Sequence, residues 1–284
     1  MRIGIHVRGF DKGRPVAVSK ALERGAETIQ IFASNPRQWR LPPTSSEADS
    51  DLRQQMESHD VAPLFLHAPY LVNLASPIRQ TREQSIRTLE WTMRRGAELG
   101  ARGVVVHAGQ CAGGDRAATL PAVASALSGL VDSAPAGPQL LLELTAGAEG
   151  AVANRLPEAG ELLDACDRHP RLGLCLDTCH LHAAGVDLGG EEQVAALVKE
   201  IESEVGLDRV ELLHSNDSLH PLGSRRDRHW HIGEGQIGLE GFRALVRHPA
   251  LRTVPMICET PGELDEDRRN IAALKGLRGL VTGG

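Results

Sequence analysis

The run LGLCLDTCH (172–180) passes from five small or apolar residues to an aspartate, and three positions later to a histidine. A short aliphatic run bounded by polar residues reads as a strand buried on both faces, the kind a parallel sheet uses. Seven other runs have the same form: RIGIHV (2–7), TIQIF (28–32), PLFLH (63–67), GVVVH (103–107), QLLLE (139–143), RVELLH (209–214) and PMICE (255–259). Helix-compatible segments lie between them, among them PVAVSKALERGAE (15–27), REQSIRTLEWTMRRGAELG (82–100), ATLPAVASALSGLVDSA (118–134) and EEQVAALVKEIESEVG (191–206). Alternating strand and helix predicts a parallel sheet. Eight such units in 284 residues predict an α/β fold closed into a (β/α)8 TIM barrel, as a single domain over 1–284. The most linker-like stretch, PPTSSEADS (42–50), contains Ser45 and Ser46, either of which suits the cap of a helix running through DLRQQMES.

Composition narrows the class. Apolar residues make up 41% of the chain, as in ordinary globular proteins, and no apolar run approaches the roughly 20 residues of a membrane span. The N-terminus lacks the apolar core of a signal peptide, so the expectation is a cytoplasmic protein without a membrane partner. Five cysteines without a CxxC spacing argue against a disulfide framework. The formal charge of -6 does not point to a polyanionic partner, but a local basic patch would decide that question.

The chemistry lies at the strand ends. Six of the eight runs finish on a residue able to bind a metal: His67, His107, Glu143, Asp177, His214 and Glu259. In a parallel barrel all strand C-termini open onto one face, so these side chains are expected to converge. DTCH adds His180 beside Asp177, and DRH adds Asp227 and His229, whose two-residue spacing turns both to one side of an extended segment. A lone histidine at a strand end is more often a rim residue than a ligand. Five imidazoles and four carboxylates meeting without cations, however, would set four like charges against one another. A catalytic zinc takes three or four protein ligands, so nine imply two or three ions, one carboxylate bridging. Imidazole-rich, thiolate-free donors favour zinc, with Mn2+ or Fe as alternatives at one site. Cys175 and Cys179, beside Asp177, read as small core filler. GEGQIG (233–238) matches G-x-G-x-x-G but lies far from the first strand, so it reads as a turn-rich loop and not a dinucleotide site.

Paired metals clamp the attacking and leaving oxygens in phosphoryl chemistry. Two loops on the same face suit a nucleic acid. NPRQWR (35–40) supplies Asn35, Arg37 and Gln38, with Trp39 and Arg40, and APYLVN (68–73) holds the only tyrosine, Tyr70, beside Leu71. An exposed aromatic next to an aliphatic side chain can wedge between bases, although the pair would equally pack over the barrel rim.

These residues resemble the endonuclease IV family of apurinic/apyrimidinic endonucleases. LDTCHLHAAGVDL (176–188) and HSND (214–217) with GSRRDRHWHIGEGQIG (223–238) look like family signatures, and FASNPRQW and MICETPG extend the likeness over nearly the whole chain. The resemblance implies three Zn2+ per chain: one on His67, His107 and Glu143, one on Glu143, Asp177, His214 and Glu259, and one on His180, Asp227 and His229. It implies Glu143 and Glu259 as catalytic residues, and Asn35, Arg37, Gln38, Tyr70 and Leu71 as DNA contacts. The implied reaction is hydrolysis 5′ to an abasic site, leaving a 3′-hydroxyl and a 5′-deoxyribose phosphate. The implied partner is double-stranded DNA with abasic or 3′-blocked lesions, bound by a monomer associated with the nucleoid. The chain departs from the pattern at Leu144, where family members usually carry asparagine, at AEG (148–150), and in HVRGFDKG (6–13) after the first run. Two alternatives stand beside this reading. A metal-dependent sugar isomerase or epimerase would need about one ion, and a lesion-binding protein would need no reaction at all.

Overall fold

The computed structural model describes residues 1–279 except 112 and 114, so residues 280–284 of the expected domain lie outside the described residues. Eight parallel strands form the barrel: β1 (Ile3–His6), β2 (Ile29–Phe32), β3 (Leu64–His67), β4 (Gly103–Val106), β5 (Gln139–Glu143), β6 (Leu172–Asp177), β7 (Val210–His214) and β8 (Met256–Cys258). They pair in chain order, and β1 closes the ring by pairing with both β8 and β2. His107 and Glu259 therefore stand one residue past their strands rather than at their ends. No helix among the described residues is long and apolar enough to cross a membrane.

Side-chain alternation fixes which residues face inward. Phe65, Val105, Leu141, Cys175, Leu212 and Ile257 form a fully buried cluster of their own, the plug of the barrel. Two residues after each comes His67, His107, Glu143, Asp177, His214 and Glu259 in turn. With a side-chain period of two, each of these is carried to the same inner face, one layer above the plug. The two remaining strands carry Gly4 then His6, and Gln30 then Phe32, at the corresponding steps. Gly4 cannot be replaced cheaply, since a Cβ there would come 1.8 Å from the Thr28 carbonyl oxygen.

A register shift refines this alignment. Leu174 pairs with Val210, but Cys175 pairs with Leu212, so Glu211 is an extra residue in β7. Such a bulge re-aims the residues beyond it. It sets His214 level with Asp177, where an unbulged ladder would place outward-facing Leu213.

Helices pack the outside, beginning with α1 (Ala17–Arg24). Ser45 caps α2 (Ser46–Ser58), accepting a hydrogen bond from the Ala48 amide, so PPTSSEADS leads into a helix as its serines suggest. α3 (Arg79–Leu99) starts three residues before the helical segment legible in the sequence and stops at Gly100, in the left-handed conformation glycine favours. Arg95 of α3 grips Asp49 of α2 through two bonds of 2.7 Å, and both residues are buried. Arg95 also pairs with Glu98.

Removing one partner of a buried pair leaves a charge without compensation. Asp49→Ala is expected to cost about 3 kcal/mol, the low end for such a change because Glu98 remains. Adding Arg95→Met should restore much of that loss, as measured by denaturant unfolding; additive losses in the double variant would contradict this account.

Candidate metal centre

The ligand candidates meet around one carboxylate. Glu143, buried at the end of β5, turns Oε2 to His67 Nε2 at 3.0 Å and His107 Nε2 at 3.3 Å. Its other oxygen, Oε1, faces His214 Nδ1 at 3.0 Å and His180 Nδ1 at 3.3 Å. His214 Nδ1 also lies 3.3 Å from Glu259 Oε2 and 3.8 Å from Asp177 Oδ2. Farther out, Asp227 Oδ2 lies 3.2 Å from His180 Nε2 and its Oδ1 3.2 Å from His229 Nε2. The donor atoms fall into the groups His67–His107–Glu143, Glu143–Asp177–His214–Glu259 and His180–Asp227–His229, each lying within 4.8 Å of one another. A fourth combination, Asp177–Cys179–His229, shares two of these residues. All nine residues drawn from the sequence are thus brought together.

The imidazoles are held from behind. His67 Nδ1 donates to the Ala68 carbonyl at 2.7 Å, His180 Nδ1 to that of Leu144 at 2.9 Å, and His229 Nδ1 to that of Glu259 at 3.0 Å. A neutral ring with one nitrogen donating presents a lone pair at the other. In His67, His180 and His229 that lone pair faces carboxylate oxygens, which are themselves acceptors. Lone pair against lone pair is repulsive unless a cation or a proton lies between. His107 Nδ1 is buried without a partner. The donor set therefore fits divalent ions, and the backbone carbonyls hold the rings as outer contacts of a metal site do. The departure at Leu144 leaves this intact, because its carbonyl, not its side chain, holds His180.

Without ions, protons take their place. Burial works against the charged His180 ring, but Asp177, Asp227 and Glu143 outweigh it and lift its pKa to about 10. Burial also lowers that of His229, and Asp177 and Asp227 lift it to about 9. Glu143 is buried, which would raise its pKa, yet His107 and His214 hold it well below the usual carboxylate range.

Two residues of HSND arrange the ligands without being ligands. Asn216, fully buried, donates from Nδ2 to Asp177 Oδ2 at 2.7 Å and accepts the Glu259 amide on Oδ1 at 2.7 Å, tying three strand ends together. The Asp217 carboxylate collects the backbone amides of Ser218, Gly233, Gly235, Ile237 and Gly238. The glycine-rich GEGQIG segment therefore wraps a carboxylate of its own chain, which is why it is no phosphate cradle. Asp217 and Ser218 also pair with His229 and Trp230 in a two-stranded ladder, so the clamp carries His229 to its place. Neither role is legible in spacing alone, and neither are those of His6 and Gln30, which contact Glu259.

The loops around the mouth hold the other candidates. Asn35, Arg37 and Gln38 are exposed, with Asn35 Oδ1 accepting the Arg37 amide at 3.0 Å. Tyr70 is 59% exposed, its ring edge against Phe32 and His67, and its amide donates to the Pro36 carbonyl at 3.1 Å, joining the two loops. Leu71 beside it is half-buried. The altered HVRGFDKG segment forms a small hairpin, Phe10–Asp11 against Arg14–Pro15, turning at Lys12 and Gly13 with positive φ.

A family model for xylose isomerase-like TIM barrels matches residues 18–279. The chain is 40% identical over 279 residues to a "Probable endonuclease 4" from Streptomyces avermitilis, covering 97% of this chain and 90% of that protein. It is 41% identical over 267 residues to a protein of the same description from Chloroflexus aurantiacus, covering 92% and 94%. Among solved structures, endonuclease IV from Thermus thermophilus superposes with a TM-score of 0.85 at 34% identity, covering 98% of each chain. A D-tagatose 3-epimerase-like protein superposes at 0.76 with 20% identity, covering 99% of this chain and 98% of that one, a likeness of fold alone.

Metal uptake must displace the protons on His180 and His229. Calorimetry of zinc binding near pH 7.5, in buffers of different ionisation enthalpy, should report proton release, and affinity should rise with pH until about 9 to 10. Release that is absent near pH 7.5 would mean those rings are already neutral. For the clamp, Asp217→Asn turns an N–H toward other donors; amide exchange at Gly233, Gly235 and Ile237 should quicken while the barrel strands stay protected.

Proposed function

The chain belongs to the endonuclease IV family of DNA-repair apurinic/apyrimidinic endonucleases, and from that premise we propose that it hydrolyses the phosphodiester 5′ to abasic sites in double-stranded DNA, leaving a 3′-hydroxyl and a 5′-deoxyribose phosphate. The observation that carries this reading is the sharing of Glu143 between two donor groups, with a third group complete beside them. A sugar epimerase working with one ion would leave His180, Asp227 and His229 without a task.

Three zinc ions suit the three groups: His67, His107 and Glu143 for the first, Glu143, Asp177, His214 and Glu259 for the second, and His180, Asp227 and His229 for the third. When bound, such ions supply positive charge to the phosphate oxygens and acidify a water near neutral pH. The chain's own groups do the positioning. Burial would raise the pKa of Glu259, but His214 and His6 outweigh it and hold the carboxyl below the usual range. It is therefore charged at every physiological pH, which suits it to orient an attacking water by accepting its hydrogen bond rather than to retain a proton. Glu143, held charged in the same way, would offset the positive charge of ions held by the two groups that share it.

DNA would approach the same face. Arg37, Arg40, Arg225, Arg226 and Arg228 are exposed on its loops and make no ion pair among the described residues, which leaves them available for phosphates despite the net charge of -6. Tyr70 and Leu71 line a cavity with His107, and Tyr70 lies edge-on to His67; with DNA bound they would fill the gap a missing base leaves in the stack.

Protein purified without chelator should contain about three zinc ions by the ligand count of such sites. It should cut an abasic duplex to a 3′-end that a polymerase extends, and a chelator should abolish the cut. About one ion per chain and an intact duplex would overturn the reading. Glu259→Gln should lower cleavage by about 10²- to 10⁴-fold while abasic DNA is still bound. Tyr70→Ala should weaken abasic-duplex binding by about 1–3 kcal/mol in a gel-shift titration and leave undamaged duplex unaffected.

A further inference from the structure

The two strands that end without a candidate ligand both reach back to one. Gln30, fully buried in β2, donates from Nε2 to Glu259 Oε1 at 2.7 Å, and its own Oε1 lies 2.9 Å from His214 Nε2. His6, ending β1, reaches the same Glu259 oxygen through Nδ1 at 2.8 Å. A carboxylate oxygen only accepts, so His6 Nδ1 carries the hydrogen in that contact, and its 3.0 Å approach to Gln30 Nε2 is two donors side by side on one oxygen. Glu259 Oε1 thus takes two hydrogen bonds, and Oε2, 3.3 Å from His214 Nδ1, is the oxygen turned to the cluster.

The same amide sets the imidazole. Its NH2 end is committed to a carboxylate, so its carbonyl end faces His214, which must donate from Nε2. The lone pair of neutral His214 is then on Nδ1, the atom 3.0 Å from Glu143 Oε1. An amide buried in an otherwise apolar strand is costly unless both its ends are paired, and here both partners are ligand candidates.

We infer that Gln30 is a positioning residue for the second ion: one carboxamide, with His6 as its helper, selects both the coordinating nitrogen of His214 and the coordinating oxygen of Glu259. This rests on the reading that Glu143, Asp177, His214 and Glu259 hold an ion. Gln30 itself touches neither that ion nor substrate.

The test uses zinc-loaded, 15N-histidine-labelled full-length protein. Long-range 1H–15N spectra of the wild type should show His214 protonated at Nε2 with slow solvent exchange; a His214 protonated at Nδ1 would overturn the inference without any variant. Gln30→Met keeps the volume and removes both bonds. It should bind one of its zinc ions about 10- to 100-fold more weakly in competition with a chromophoric chelator, and its His214 Nε2 hydrogen should exchange faster. Gln30→Glu keeps an acceptor for His214, so slow exchange of that hydrogen should return. Unchanged zinc affinity and exchange in Gln30→Met would overturn the role of Gln30 while leaving the ion's site standing. A His214→Ala protein that loses no zinc relative to wild type would instead remove the site on which the inference rests.

Discussion

Glu143 is a buried carboxylate with an imidazole pair on each of its two oxygens, and that juxtaposition is unstable by itself. Across the wider cluster His67, His180 and His229 already donate a hydrogen to a carbonyl behind them, so their second nitrogens point lone pairs at the oxygens of Glu143, Asp177 and Asp227. Positive charge has to enter, as protons in the metal-free protein or as ions in the loaded one. The carboxylates of Asp177 and Asp227 lift His180 and His229 well above the ordinary imidazole range, against the opposing effect of burial. A site of this kind is costly to build, and the barrel supplies the rigidity to hold it.

That rigidity has an identifiable source. The six plug residues are fully buried and set the phase of their strands, so each ligand candidate two residues on has one direction available. The extra residue Glu211 in β7 corrects the one ladder in which His214 would fall out of line with Asp177. Asn216 then ties the ends of three neighbouring strands through its side chain. Positions two hundred residues apart in the chain are thus held to within hydrogen-bonding distance.

The third group is built differently. Asp227 and His229 sit on a long connection rather than on a barrel strand, and it is the Asp217 carboxylate, collecting five backbone amides, that gives this loop its shape. Gly235 has to be a glycine for this to work, since a Cβ there would lie 2.5 Å from Asp217 Oδ1 and from the Ser218 carbonyl oxygen. The exposed arginines of the same connection, Arg225, Arg226 and Arg228, flank a ligand group, which brings cations to the rim of a protein whose overall charge is negative.

The eight aliphatic runs, their alternation with helices and the convergence of the six ligand candidates beyond the plug were all readable in the linear chain, because a parallel barrel turns every strand end to one face and a period of two does the rest. His180, Asp227 and His229 could be picked out as candidates from local spacing, but the place of Asp227 and His229 beside the barrel mouth depends on the Asp217 clamp. The linear chain could not reveal which groups stand behind the ligands. Gln30 appears in TIQIF only as a polar interruption, and His6 as an unremarkable histidine; their shared partner, Glu259, lies more than two hundred residues away. The Leu144 carbonyl and the Asp217 clamp were hidden too, since backbone groups carry no sequence signal. Strand phase is a local property and can be read residue by residue. Hydrogen-bond partnership across a closed ring exists only after the ring has closed.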